Sequence, residues 1–447
     1  MELATQIFQF ILSISILVVL HELGHFLPAK WFKCRIEKFY LFFDPWFSLV
    51  KKKIGETEYG IGWLPFGGYV KIAGMVDESM DTEQLKQPAQ PWEFRSKPAW
   101  QRLIIMLGGI FVNVVLAILI YTSLNYFHGE DIYATEKINQ IAVSEAGRKI
   151  GFENGDKILK IDGKKTQKDF NKQILDILFS ENITVLRNGK EVNFKTNEDG
   201  IADVFKDESP KTFLLPRTIP IVDDIIFKET EKAGLKKGDK ILSINGKKID
   251  FYDQVKVIAQ HNKGRNISAE VLRNNSIVNL TLPINKNGFL GFHNLVYTQK
   301  VIEDLKENVK YPSITSALVR GYERSKESLT YQIKQFKLVF NKKVQGYKKV
   351  SGHIGIVKMM PEQIDWVKFW EFTAMFSIWL AFLNILPIPG LDGGHALFTT
   401  WELITGKPVP QKVLENAQMI GVIFLMGLML LIFGSDIYKF IISPFLK

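Results

Sequence analysis

Ile7-Phe8-Gln9-Phe10-Ile11-Leu12-Ser13-Ile14-Ser15-Ile16-Leu17-Val18-Val19-Leu20 runs directly into His21-Glu22-Leu23-Gly24-His25. The residues from Ile7 to Leu20 carry no charge, and the apolar stretch as a whole, from about Leu3 to Leu27, is long enough to cross a bilayer as a helix. On a helix, positions i and i+4 share a face, so His21 and His25 can reach one Zn²⁺ while Glu22 faces the water it activates. Ionisable groups inside a span are costly, which makes this pentapeptide a functional hypothesis by itself.

Three further segments have spanning character: Leu103 to Leu124, the shorter Phe372 to Ile388, and Met419 to Phe433 with an extension toward Ile442 past Asp436. The third closes on Pro387-Ile388-Pro389, and a broken span is tolerated only where its backbone is buried in protein or lines a cavity. Just beyond it lies Asp392, with no basic neighbour in sequence. It can supply the third protein ligand that a zinc peptidase needs while leaving a fourth position for water. His395 is read as a supporting or structural residue. Glu371, Glu402 and Asp436 are read as solvated helix-end charges.

The 447 residues allow several domains, and a composition 46% hydrophobic and 23% charged fits a membrane protein carrying large water-soluble parts. The net charge of +10 is spread along the chain. Without any nucleic-acid-binding motif, it points to an anionic lipid surface rather than nucleic acid. Cys34 is the sole cysteine, which excludes an intramolecular disulfide and a thiolate zinc site. The first apolar run lacks the basic flank of a secretory signal. Lys30, Lys33, Arg35, Lys38, the run Lys51 to Lys53 and further cations up to Lys97 follow the first span. This loop is therefore expected on the cytoplasmic side and both termini outside.

An internal repeat occupies the long segment between the second and third spans. Gly155-Asp156-Lys157-Ile158-Leu159-Lys160-Ile161-Asp162-Gly163-Lys164-Lys165 recurs as Gly238-Asp239-Lys240-Ile241-Leu242-Ser243-Ile244-Asn245-Gly246-Lys247-Lys248, a shift of 83 residues. Each copy reads as a strand bounded by Gly-Asp and Asp/Asn-Gly turns, and the period suits two tandem small domains. The unit resembles the bacterial type of PDZ domain, which binds extended peptides by strand addition. Glu58 to Gly74, rich in glycine and aromatics, predicts a hairpin that either dips into the membrane and offers a strand edge to substrate or lies at the interface as an anchor.

Taken together, H-E-x-x-H in the first span, G-x-x-P-F-G-G-Y-V from Gly62 to Val70, the tandem repeat and N-x-x-P-x-P-x-L-D-G-G from Asn384 to Gly394 resemble the RseP-type site-2 proteases of bacteria. The resemblance covers nearly the whole chain. It implies a helical membrane core of four transmembrane helices with a membrane-dipping β-hairpin and two tandem extracytoplasmic PDZ-like domains, in the bacterial inner membrane. It implies zinc held by His21, His25 and Asp392, with Glu22 as the catalytic base. Asn384, Pro387 and Pro389, together with Gly67, Gly68 and Asn113, would shape the substrate site. The activity implied is zinc-dependent cleavage, within the bilayer, of single-span membrane proteins such as an anti-sigma factor already trimmed outside, and of remnant signal peptides.

The expected boundaries are a first span at 1–32, a cytoplasmic loop with the hairpin at 33–100 and a second span at 101–127. PDZ-like domains follow at 128–212 and 213–300, then a linker at 301–368 with an amphipathic helix from about Ile314 to Lys342. A third span at 369–388, the proline loop at 389–414 and a fourth span at 415–443 complete the chain. Two stretches depart from the family pattern: Leu107-Gly108-Gly109 ahead of Asn113, where Ala-Gly-Pro is usual, and Gly352-His353-Ile354-Gly355, where Gly-Pro-Ile is common. His353 is rejected as a ligand. The rivals are a catalytically silent PDZ scaffold, which has no reason to keep the full His21/Glu22/His25/Asp392 set, and a zinc enzyme acting on lipid, against which the peptide-binding features argue.

Overall fold

The computed structural model describes residues 2–75, 87–206, 213–294, 304–344, 346, 352–438 and 442. The chain divides into two compact units, one of residues 1–129, 310–337 and 348–447 and one of residues 130–309 and 338–347.

In the first unit, helix α1 (Glu2–Trp31) continues through Pro28 and ends where Lys33 takes a positive φ of 59°. Strands β1 (Ile36–Ile54) and β2 (Thr57–Ile72) follow, then helix α2 (Ala99–Phe127). After the second unit come α3 (Ile314–Val339), the short α4 (His353–Val357), α5 (Trp366–Ile385), α6 (Asp392–Thr405) and α7 (Gln411–Ile437). Among the described residues α1, α2 and α7 are long and apolar enough to cross a membrane. Four spans were expected. Helix α5 falls short because Lys368, Glu371, Thr373, Ser377 and Asn384 interrupt its apolar residues. It is nonetheless a core element: Phe369 and Ala374 are fully buried, and α5 packs on α2 through Ala374, Ile378, Ala117 and Tyr121.

Helices α1 and α2 meet glycine on glycine. A Cβ on Gly24 would strike the backbone of Gly108 and Gly109, so only residues without side chains allow this approach. The Gly108-Gly109 departure from the family pattern is therefore a contact surface rather than a defect. At the other end of α2, Arg324 of α3 bonds Asn125 Oδ1 at 2.8 Å and lies 4.4 Å from the Tyr121 ring.

The expected hairpin does not close within residues 58–74. Instead β2 is one bent strand pairing antiparallel with β1, which bends where Phe42 and Trp46 take φ of 67° and 72°. Folding back lets residues 38–41 pair on both sides, Tyr40 with Tyr69 on one and with Gly60 on the other. The pairing segments thus run in the order 68–72, 36–41, 57–61, 50–54, leaving 68–72 and 50–54 as edges. Trp46, Phe47 and Trp63 stack beside the bend, with Trp46 91% exposed.

Three carboxylates expected in water are partnered instead. Asp436 is fully buried and accepts from Gly352 N at 2.9 Å and Ile354 N at 2.9 Å, capping α4 from the end of α7. Glu402 of α6 pairs with Arg102 at the start of α2, both largely buried. Glu371 is half exposed but bonds Arg324 at 3.0 Å. Each partner lies far away in sequence, so periodicity within one helix could not reveal it. The His353 side chain lies outside the described part of the structure.

In the second unit the repeat becomes two lobes of matching topology. One four-stranded sheet has the order 164–165, 157–161, 182–187, 190–195; the other, 247–248, 240–244, 266–273, 276–283. A helix, Phe170–Leu178 or Tyr252–His261, covers each. The Gly-Asp pair does more than turn the chain. Asp156, fully buried, takes Arg187 Nε and Nη2 at 2.8 Å each, and Asp239 takes Arg273 Nε at 2.7 Å and Nη2 at 2.6 Å. Hydrogen bonding to these carboxylates holds both guanidiniums above their ordinary pKa. Two boundaries differ from those expected. Phe213 and Leu214 belong to the first lobe's core, beyond residue 212, and Val344 joins that core although it was placed in a linker. Lys306–Val309 pairs with Glu130–Tyr133, so the stretch after residue 300 also contributes a strand.

Candidate metal centre

Helical spacing on α1 puts His21 and His25 on the face turned to α2, where His25 is 4% exposed. Their Nε2 atoms lie 3.3 Å apart. Asp392, the first residue of α6, brings Oδ2 to 3.3 Å from each. The turn that delivers it is built by the sequence Leu386 to Gly394: Ile388 N donates to Leu386 O, Leu391 N to Ile388 O and Gly394 N to Leu391 O. Gly393 and Gly394 press on the carbonyls of Ile385, Leu386 and Ile388, leaving no space for a side chain at either position. Among the described residues these three form the one cluster of His, Cys, Asp and Glu able to hold a metal ion.

Surrounding hydrogen bonds orient the donors. His25 Nδ1 lies 2.8 Å from Ile105 O, an acceptor, so Nδ1 carries the proton and Nε2 presents its lone pair. Among the described residues the buried Asp392 Oδ2 has no well-formed hydrogen bond and faces the two Nε2 atoms. Two imidazole nitrogens and a carboxylate oxygen thus converge at equal separations. Ligand atoms on a tetrahedral Zn²⁺ with bonds of about 2.0–2.1 Å are about 3.3–3.4 Å apart, so the donor set fits zinc in chemistry and in spacing.

Glu22, the next residue on α1, lies within electrostatic reach of His21, His25 and Asp392 and of the Val70 backbone N–H of β2. The edge 68–72 therefore runs beside the carboxylate, with Gly68 against Val18. Gly67 has φ of 129°, a conformation that favours glycine, and packs on the Phe43 ring. Asn384, near the end of α5, brings Nδ2 to 3.4 Å from His21 Nε2, at the rim of the donor cluster. Pro387 is exposed, while Pro389 is covered through its backbone by Gly421 of α7. Asn113 is placed differently: fully buried behind His21, with Nδ2 3.1 Å from Nδ1. His395 lies beyond Asp392 on α6 and outside the cluster.

Sequence reasoning missed the α2 face that holds the histidines. Ile105, Gly109 and Asn113 recur every four residues; Ile105 O takes His25, and a Cβ on Gly109 would come within 2.5 Å of His25 Nε2 and 2.6 Å of His21 Cε1. The signal was present as glycine at a helical spacing from Asn113, but its meaning depends on a second helix.

Residues 9–428 match the model of peptidase family M50. The regulator of sigma E protease of Haemophilus influenzae is 28% identical, with 96% of this chain and 98% of that protein aligned. The regulator of sigma-E protease RseP of Escherichia coli is 27% identical over 96% of this chain and 97% of its own. A Clostridium perfringens protein named for zinc metalloprotease activity is 26% identical over 96% and 97%.

Proposed function

The chain belongs to peptidase family M50 and is a membrane-associated zinc metalloprotease of the site-2 type; from that premise we propose that it cleaves single-span membrane proteins inside the bilayer, with His21, His25 and Asp392 as zinc ligands and Glu22 as the base. The observation that carries this reading is the meeting of the three ligand atoms at 3.3 Å beside Glu22, on an apolar helix. Zinc, when bound, acidifies a water and polarises the scissile carbonyl. Glu22 accepts the proton and returns it to the leaving amine, as general acid–base chemistry requires. Asn384 donates from the rim toward the substrate carbonyl.

A helical substrate hides its carbonyls, so its span must unwind before attack. The 68–72 edge of the membrane-dipping hairpin pairs with the exposed backbone and offsets that cost. Helix α5 serves as a fourth, partly polar span, tolerated because it is packed in protein. The Lys/Arg-rich loop lies in the cytoplasm, the site toward that side of the bacterial inner membrane, and the termini outside. The two outer lobes are PDZ-like and exclude substrates with bulky outer domains, so that an anti-sigma factor is cut only after external trimming, while remnant signal peptides pass directly.

Purified Glu22→Gln should retain zinc and lose at least about 10²-fold in cleavage of a single-span model substrate, because the ligands remain and the base does not. Near-normal turnover in that variant removes Glu22 from the role of base.

A further inference from the structure

Asn113 touches His21 from behind and has no route to a substrate: it is fully buried, its backbone O accepts from Ser377 Oγ at 2.7 Å, and its amide lies 3.1 Å from His21 Nδ1. Among the described residues its Oδ1 has no hydrogen-bond partner. Both facts have one chemical resolution. If His21 Nε2 gives its lone pair to the cluster it shares with Asp392 and His25, Nδ1 bears the proton and needs an acceptor. The two ends of a carboxamide are nearly indistinguishable in shape, so turning the Asn113 amide over leaves the packing unchanged and brings Oδ1 to Nδ1–H.

We propose that Asn113 is the positioning residue for His21, fixing its tautomer and ring plane, and that Ser377 anchors Asn113 by tying α2 to α5. The proposal rests on His21 as a zinc ligand and assigns to α2 a task matching the Ile105 carbonyl's hold on His25. The two acceptors, eight residues apart on one helix face, hold imidazoles four residues apart on the other helix, with Gly109 between them. Metal-bound histidines characteristically spend their second nitrogen in this way, and losing that partner costs about 10–100-fold in metal affinity.

The test is zinc affinity by chelator competition, together with the visible absorption of the cobalt-substituted full-length protein, for wild type, Asn113→Ala, Asn113→Asp and Ser377→Ala. Asn113→Ala should bind zinc about 10–100-fold more weakly and shift the cobalt spectrum. Asn113→Asp, which still offers an acceptor to Nδ1–H, should restore both, and Ser377→Ala should fall between. Wild-type affinity and spectrum in Asn113→Ala overturn the proposal, above all if KM alone rises, since that places Asn113 on the substrate. Equal loss in the Ala and Asp variants also overturns it, because any disruption of packing would suffice. His21→Ala serves as the reference: zinc affinity unchanged there refutes the ligand assignment itself, whereas loss there with no effect at Asn113 refutes only the positioning role.

Discussion

Gly109 has room for no side chain. A methyl group there would lie within 2.5 Å of His25 Nε2 and 2.8 Å of His21 Nδ1, and α2 is itself packed against Ala374 and Ile378 of α5. Gly109→Ala is therefore expected to push the imidazoles apart, and zinc affinity should fall by about ten-fold or more. Gly427→Ala on α7, where a Cβ would meet open space, is the control and should change nothing. Equal zinc affinity in the two variants would contradict the packing described. The clustering of His21, His25 and Asp392 was legible in sequence because H-E-x-x-H encodes its geometry in one helical turn, and Asp392 stood out as a charge after a broken span. The packing of Gly109 and Asn113 against the two histidines was not legible, since a residue on a helix face gains meaning from the helix facing it. Cys34 carries a similar lesson. It is 4% exposed and burial pushes its thiol up, so its reactivity reports packing rather than the side of the membrane on which it lies.

At the scale of the element, the repeat shows how much a motif can disclose and where it stops. The two copies of Gly-Asp through Lys-Lys predicted matching strands, and the sheets match. The arginines completing each clamp were also present as repeated text, Leu186-Arg187-Asn188 and Leu272-Arg273-Asn274, but only the fold brings Arg187 onto Asp156 and Arg273 onto Asp239. Removing the buried acid leaves the guanidinium with Glu153 Oε1 and Gly151 O alone and empties the acceptor for Glu153 N. Asp156→Ala should cost the first lobe about 3–5 kcal/mol, seen as lost hydrogen-exchange protection in residues 157–195 with 240–283 unaffected. Uniform protection in both lobes would show the clamp to be dispensable. The hairpin was harder to read. Its glycines and aromatics marked a β segment correctly, but strand partners are chosen non-locally, and the doubling of residues 38–41 between two neighbours follows from bends at Phe42 and Trp46 that no turn motif announces.

For the whole molecule, the orientation argued from loop charges makes opposite demands on two exposed sites. In a Cys34→Ala background, Glu56→Cys at the β1–β2 turn should resist a membrane-impermeant thiol reagent in intact spheroplasts and react after permeabilisation. Lys263→Cys in the second lobe should react at once. The reverse pattern would invert the topology. Any truncation that probes the two lobes as a filter has to respect the chain's actual division: the unit takes in residues 338–347 as well as 130–309, so cutting at 300 would strand Lys306–Val309 and Val344 from their partners. If α1 and the proline loop after α5 together make one zinc site, the metal content of the purified full-length protein after dialysis against a mild chelator reads it out. Wild type and Glu22→Gln should each keep one zinc per chain and Asp392→Ala almost none; a full complement of zinc in Asp392→Ala would mean that the proline loop supplies no ligand.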